Sequence, residues 1–304
     1  MPDPARLIFL GAVGLDTILA VPALPTGPGK FLPTAMVQVA EGMAASAAAT
    51  AARLGGRASL WGRVGDDATG ARIREELARD GVEVSGLRAI PAAHSVVSTI
   101  LVAPDGERII VPFYDPALGS DTNWLDLASI KSADAVQADV RWPEGARAIL
   151  SEARKAGVTA VLDADTGPVE IIAELAALAS HAVFSEPAAA SLAGAHDPAE
   201  STRILARRFE GFIAVTAGAD GCFWFDRQAG DVRHLPAPRV TAIDTLAAGD
   251  VFHGAFTLML AEGRSEPEAI RFASAAAAIK CTRFGGRLGA PTRDEVEALL
   301  TVAE

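Results

Sequence analysis

Asp244-Thr245-Leu246-Ala247-Ala248-Gly249-Asp250 runs straight into a segment with Val251, Phe252, Ala255, Phe256 and Met259 on one face. Small residues let a backbone approach a ligand closely, and the helix that follows would aim unpaired N–H groups and a positive dipole end at an anion. An aspartate on the same turn can accept a proton from a hydroxyl held beside that anion. The chemistry that suits this spacing is phosphoryl transfer, with residues 247–250 as cradle and Asp250 as base. An aspartate that only caps a helix produces the same local pattern, so spacing alone leaves both readings open.

The elements that must position this segment alternate along the chain. Apolar runs at 7–13, 58–61, 158–162, 182–184 and 211–216 read as buried strands. Stretches 44–54, 70–79 and 144–156 read as helices, each followed by glycine. Such alternation predicts a parallel sheet covered by helices on both faces. Helices are also expected at 249–261, 267–282 and 293–302, with 273–279 apolar on all sides and therefore buried. Two segments, 21–33 and 91–116, hold eight of the eighteen prolines. The second carries a hairpin pattern, 96–102 and 108–111, around a turn at Asp105-Gly106. Together these segments predict a small β-sheet lid, discontinuous over about 14–38 and 91–116, on a single domain spanning 1–304.

Bulk properties exclude several classes. The chain has 304 residues and a net charge of −11, with no basic stripe, which argues against a nucleic-acid partner. No apolar stretch reaches the length of a membrane span, and the start, Met1-Pro2-Asp3-Pro4, lacks the blocks of a signal peptide. Two cysteines, Cys222 and Cys281, suit a reducing compartment and read as packed thiols, so a cytoplasmic protein is expected. The five histidines share no metal-ligand spacing.

The longer pattern Asp-Thr-x-x-Ala-Gly-Asp-x-Phe-x-Gly-Ala-Phe at 244–256 resembles the C-terminal signature of the ribokinase-like (PfkB) carbohydrate kinases. Gly14-Leu15-Asp16, Gly62-Arg63-Val64-Gly65-Asp66-Asp67 and Thr216-Ala217-Gly218-Ala219-Asp220-Gly221 resemble that family's other motifs, so the likeness covers nearly the whole chain. The resemblance implies a three-layer α/β sandwich with a mostly parallel sheet and a small β-lid. It also implies an ATP- and Mg²⁺-dependent sugar kinase that dimerises through the lid. It places Ala247, Ala248, Gly249 and Asp250 at the chemistry, and Asp16, Gly42 and Asp250 on the sugar. Thr216, Gly218, Gly221, Ala247, Gly249 and Lys280 are placed on ATP, and Glu186 near the metal.

The sequence departs from the family pattern at Ala247, where glycine is usual, and at Ala40-Glu41-Gly42, where a glycine pair is usual. Ser185-Glu186-Pro187-Ala188 replaces the usual Asn-x-x-Glu. Asp139-Val140-Arg141-Trp142, Gly249-Asp250-Val251-Phe252-His253-Gly254 and Lys280-Cys281-Thr282-Arg283 look like the bacterial sulfofructose kinases. That likeness implies a ketose with an anionic end, such as 6-deoxy-6-sulfofructose, held by Lys30 and Arg141. Pro112 stands where a polar asparagine would be expected. Residue type alone lets Lys30 be solvated, Arg141 stack on Trp142 or pair with Asp139, and Arg283 and Arg287 face phosphate or solvent. A fructokinase, a keto-deoxy sugar acid kinase and a nucleoside kinase are the alternatives within the family. A sugar or nucleotide sensor without turnover is the alternative outside it.

Overall fold

Short apolar runs that stop at an acid, a serine or a threonine make the centre of this molecule. The computed structural model describes residues 3–104 and 106–302, so Met1, Pro2 and Asp105 of the expected turn lie outside the described residues. In chain order, β1 (Arg6–Leu10), β2 (Gly14–Ala20) and β3 (Ala35–Glu41) lead to α1 (Met43–Arg53), β4 (Arg57–Gly65) and α2 (Ala68–Arg79). β5 (Leu87–Ile90), β6 (Val96–Val102), β7 (Arg108–Phe113), β8 (Ala135–Asp139), α3 (Pro143–Ala156) and β9 (Thr159–Ala164) follow. Next come α4 (Val169–Leu178), β10 (His181–Ser185), α5 (Glu186–Ala193), α6 (Pro198–Arg208) and β11 (Phe212–Thr216). β12 (Cys222–Asp226), β13 (Asp231–Leu235), α7 (Ala248–Ala261), α8 (Glu266–Cys281) and α9 (Arg293–Val302) complete the described residues.

The described strands form two sheets. The larger has the order β13-β12-β11-β10-β9-β8-β1-β4-β5. It is parallel from β11 to β5, and β12 and β13 add an antiparallel edge. Successive residues of β1 supply opposite faces: Leu7 and Phe9 join one core, Ile8 and Leu10 the other. α1, α7 and α8 pack on the first face, and α3 to α6 on the second. The expected sandwich is therefore present, with the edge hairpin β12–β13 as an addition. No helix among the described residues is long and apolar enough to cross a membrane.

α1 is rich in alanine because α7 crosses it closely. A Cβ at Gly254 would stand 2.3 Å from the carbonyl oxygen of Ala47, so only glycine allows that approach. This crossing sets the height of the α7 N-terminus over the sheet.

The smaller sheet has the order β3-β2-β6-β7. Its outer pairs are antiparallel and its central pair, β2 with β6, is parallel. The proline-rich stretch 21–33, expected to help form this sheet, instead supplies no strand of it and loops between β2 and β3, because its prolines lack an N–H for the ladder. Ile18, Val39, Ile100 and Val102 on its inner face are buried with Leu246 and Phe284 packed against them, which ties this sheet to the 244–250 loop.

Candidate active site

The 244–250 loop is held by backbone geometry on both sides. Ile243 N and Asp244 N donate to the Cys281 carbonyl at 2.7 and 3.2 Å. The buried Asp244 carboxylate accepts from Leu246 N at 2.8 Å, and from Gly285 N and Gly286 N at 2.9 and 3.1 Å. Ala247 adopts φ 59°, ψ 10°, the left-handed conformation that explains why glycine is usual there. The N-terminus of α7 has no side-chain cap, and a Cβ at Gly249 would meet no atom within 4 Å. Ala248 N donates to the Thr245 carbonyl at 3.3 Å, and the backbone at Gly249 borders open space at the helix N-terminus, the arrangement that favours an anion.

Beneath that opening lies a cavity of about 360 Å³, lined among others by Asp16, Glu41, Gly42, Ser98, Pro112, Arg141, Asp165 and Asp250. Gly42, at φ 114°, turns β3 into α1, and a Cβ there would come 2.5 Å from the Ala12 carbonyl oxygen. A larger groove, about 570 Å³, runs beside Trp61 and Trp124 at the starts of β1 and β4 and touches none of these acids.

The cavity is acidic. Burial pushes Asp16 up to about 6, partly countered by the Ser98 hydroxyl on the neighbouring strand. Burial likewise pushes Glu41 up to about 7, against the pull of Arg287 and Ser46. Asp250 is raised well above the ordinary carboxylate range, first by desolvation and then by repulsion from Asp163, Glu41 and Asp139. Asp163 is raised in the same way. Asp139, also raised by burial, accepts from Ala12 N and Ala44 N at 2.7 and 3.1 Å and so pins the segments after β1 and β3 to the sheet. His253 lies one turn below Gly249. Its Nδ1 is 2.8 Å from the Gly249 carbonyl oxygen and 3.4 Å from the Asp163 carboxylate, which braces the first turn of α7 against β9.

The C-terminal strand ends carry the cavity toward Thr216. Asp139, Asp165, Ser185 and Thr216 stand at or just beyond the ends of β8, β9, β10 and β11, neighbours in the sheet. Ser185 Oγ donates to Asp165 at 3.0 Å, and Ser185 is in register with Thr216. Open α/β sheets place ligands along this edge. Gly218, at φ 52°, has no atom within 4 Å of a would-be Cβ, so the backbone beyond Thr216 also borders open space.

Several expected residues sit elsewhere. Lys30 is exposed in the β2–β3 loop and is not among the cavity-lining residues. Glu186 is exposed at the start of α5 and also lies outside the cavity. Lys280 is fully buried, with its ammonium 2.6 Å from the Asp244 carbonyl oxygen, so it supports the loop from behind. Arg141 does line the cavity, but its guanidinium bonds Asp165 at 2.8 Å and the Thr166 carbonyl at 2.7 Å, and only its backbone N reaches Asp139. Arg63, at 4.2 Å, takes the place over the Trp142 ring that Arg141 was a candidate for. Arg283 pairs with Glu295, and Arg287 is buried against Asp80 and the Ala40 carbonyl. Cys222 is buried and Cys281 half-buried, and both are free.

Sequence reasoning overlooked Asp163 and Asp165. The available signal was an apolar run ending in acid at β9, as β8 ends at Asp139. Among the described residues, no group of three or more His, Cys, Asp or Glu could hold a metal ion.

Comparison with known proteins agrees with this geometry. The sequence profile of the pfkB family carbohydrate kinases matches residues 5–293. The chain is 31% identical over 303 residues to a ribokinase of Haemophilus influenzae, covering 95% of this chain and 96% of that protein. It is 32% identical to an ATP-dependent ribose-1-phosphate kinase of Halopiger xanaduensis, covering 97% and 98%. A crystal structure assigned as a ribokinase from Agrobacterium tumefaciens superposes with a TM-score of 0.95 at 48% identity, covering 99% of each chain.

Proposed function

The chain belongs to the pfkB family of carbohydrate kinases, and on that premise we propose that it transfers the γ-phosphoryl group of ATP to a hydroxyl of a sugar bound between Asp16 and Asp250. The observation that carries this reading is the placement of Asp250 on the uncapped first turn of α7, lining the same cavity as Asp16. Asp16 accepts a sugar hydroxyl, and Asp250 takes the proton of the attacking one. Desolvation and its acidic neighbours raise its affinity for that proton. The amides of residues 247–250 receive the charge that develops on the transferred group. ATP lies along the strand ends toward Thr216, Gly218 and Gly221. Mg²⁺ bound with ATP would be held chiefly by the phosphates and would neutralise the charge of the transferred group. The small sheet, through Asp16, Ser98 and Pro112, is the lid over the sugar.

The charge of the cavity bears on the substrate. Asp16, Glu41, Asp165 and Asp250 line it against Arg141, which Asp165 already engages. That balance favours a neutral sugar, such as a pentose or ketose, over sulfofructose. A sugar with an anionic end is the second reading, favoured by Arg141 at the cavity wall and by the relative that acts on ribose 1-phosphate.

The proposed assembly is a homodimer through the small sheet. Met36, Val111 and Phe113 are 63%, 62% and 50% exposed on its outer face, and β7 is an uncovered edge strand. The two free cysteines suit a cytoplasmic setting.

The test is ADP release with ribose, fructose, ribose 1-phosphate and sulfofructose. Asp250→Asn should lower kcat by ~10²–10⁴-fold with every accepted sugar while leaving sugar binding by calorimetry intact. Turnover at the parent rate in that variant would refute the mechanism. A preference for the anionic sugars that disappears in Arg141→Ala would establish the second reading.

A further inference from the structure

We infer that Lys280 is a positioning residue for phosphoryl transfer, an internal cation that fixes the anion-binding loop through Asp244. The inference rests on the proposed role of residues 247–250 in holding the transferred group. Lysine is rarely buried without a specific partner, yet Lys280 has no exposed surface and stands among the largest fully buried side chains. Its Nζ donates to the Asp244 carbonyl oxygen at 2.6 Å and lies 3.3 Å from the Asp244 carboxylate. One ammonium therefore grips both acceptor groups of the residue that opens the loop.

That grip propagates. The same Asp244 carboxylate orders Leu246 N, two residues into the loop, and Gly285 N and Gly286 N on the far side. Arg287 N then donates to Glu41 at 2.7 Å, which joins the phosphoryl side of the site to the wall of the sugar cavity. The carbonyl of Cys281, next to Lys280, receives Ile243 N and Asp244 N, so the last turn of α8 fastens the loop entrance at three points. A left-handed alanine at 247 persists only where its surroundings over-determine it, and these bonds are the surroundings. Because Lys280 is sealed from the cavity, it touches neither sugar nor nucleotide. Its influence runs through the orientation of the 247–250 amides.

The experiment compares Lys280→Met, which removes charge and donors, with Lys280→Arg, which keeps both in a bulkier shape. We would measure kcat, the KM for sugar and for ATP, and amide hydrogen exchange of residues 245–250. Lys280→Met should lose ~10²-fold in kcat, as for a mis-set oxyanion donor, with the sugar KM within about threefold of the parent. Exchange in 245–250 should accelerate. Lys280→Arg should be faster than Lys280→Met. If Lys280→Met does not fold, Lys280→Gln, which keeps a donor without charge, replaces it in the same comparison. A folded neutral variant with kcat within about threefold of the parent, or an arginine variant as slow as the neutral one, overturns the inference. Asp250→Asn run alongside separates the two failures, since full turnover there removes the site assignment itself.

Discussion

Glu41 offers a measurement of the acidity of the cavity wall. It is 2% exposed, its carboxylate accepts Arg287 N at 2.7 Å and the Ser46 hydroxyl, and burial lifts its pKa from 4.5 to about 7. A carboxyl that holds its proton more tightly in the fold than in the unfolded chain adds stability at low pH. That stability is lost as pH rises from 4.5 through about 7. The gap corresponds to at most about 3.5 kcal/mol above both values, and to about 2–3 kcal/mol between pH 8 and pH 5. Glu41→Gln removes the titration while keeping the contacts, because its carbonyl can accept Arg287 N and its amide can donate to Ser46 Oγ. Urea unfolding of parent and variant at matched pH between 5 and 8.5 reads the difference directly. The variant should gain on the parent by about 2 kcal/mol toward pH 8, and the two should converge near pH 5. Asp163 shifts in the same direction in both proteins and cancels, whereas Asp250 and Asp16, which share repulsion with Glu41, are relieved in the variant and add to its gain toward pH 8. Parallel stability–pH curves for the two proteins would refute the reasoning.

Two further predictions concern the loop and the lid. Ala247→Gly relieves a left-handed alanine but loosens the unfolded chain, so its stability should stay within about 0.5 kcal/mol of the parent, whereas Ala247→Val should cost more than about 1 kcal/mol and slow turnover. Denaturant midpoints and kcat check both variants. Val111→Lys, on the exposed edge strand, should convert a dimer to a monomer in sedimentation without lowering the unfolding temperature, and an unchanged sedimentation coefficient would remove the lid from the interface.

Local rules made much of this protein legible. Glycines after helices, apolar runs of strand length and small residues before an apolar helix identified the sandwich, the hairpin and the 244–250 loop, because each of these signals depends on neighbours a few residues away. The position of Asp16 beside Asp250 followed from a motif resemblance, and the fold brings both to one cavity. Pairings across the chain were not legible. Whether Arg141 is free for an anion depends on Asp165, 24 positions on, and whether Lys280 meets solvent depends on Asp244, 36 positions back.

Sequence by itself determined the fold class, the 244–250 loop with its aspartate, and the residue types available for chemistry. Tertiary structure alone decided which charges stand free. It withdrew Lys30 to an exposed loop, occupied Arg141 with Asp165, and turned Lys280 inward beneath the loop. A side chain's type fixes what charge it can carry. Burial and partners brought from distant segments fix whether that charge reaches a ligand, and those exist only once the chain has folded.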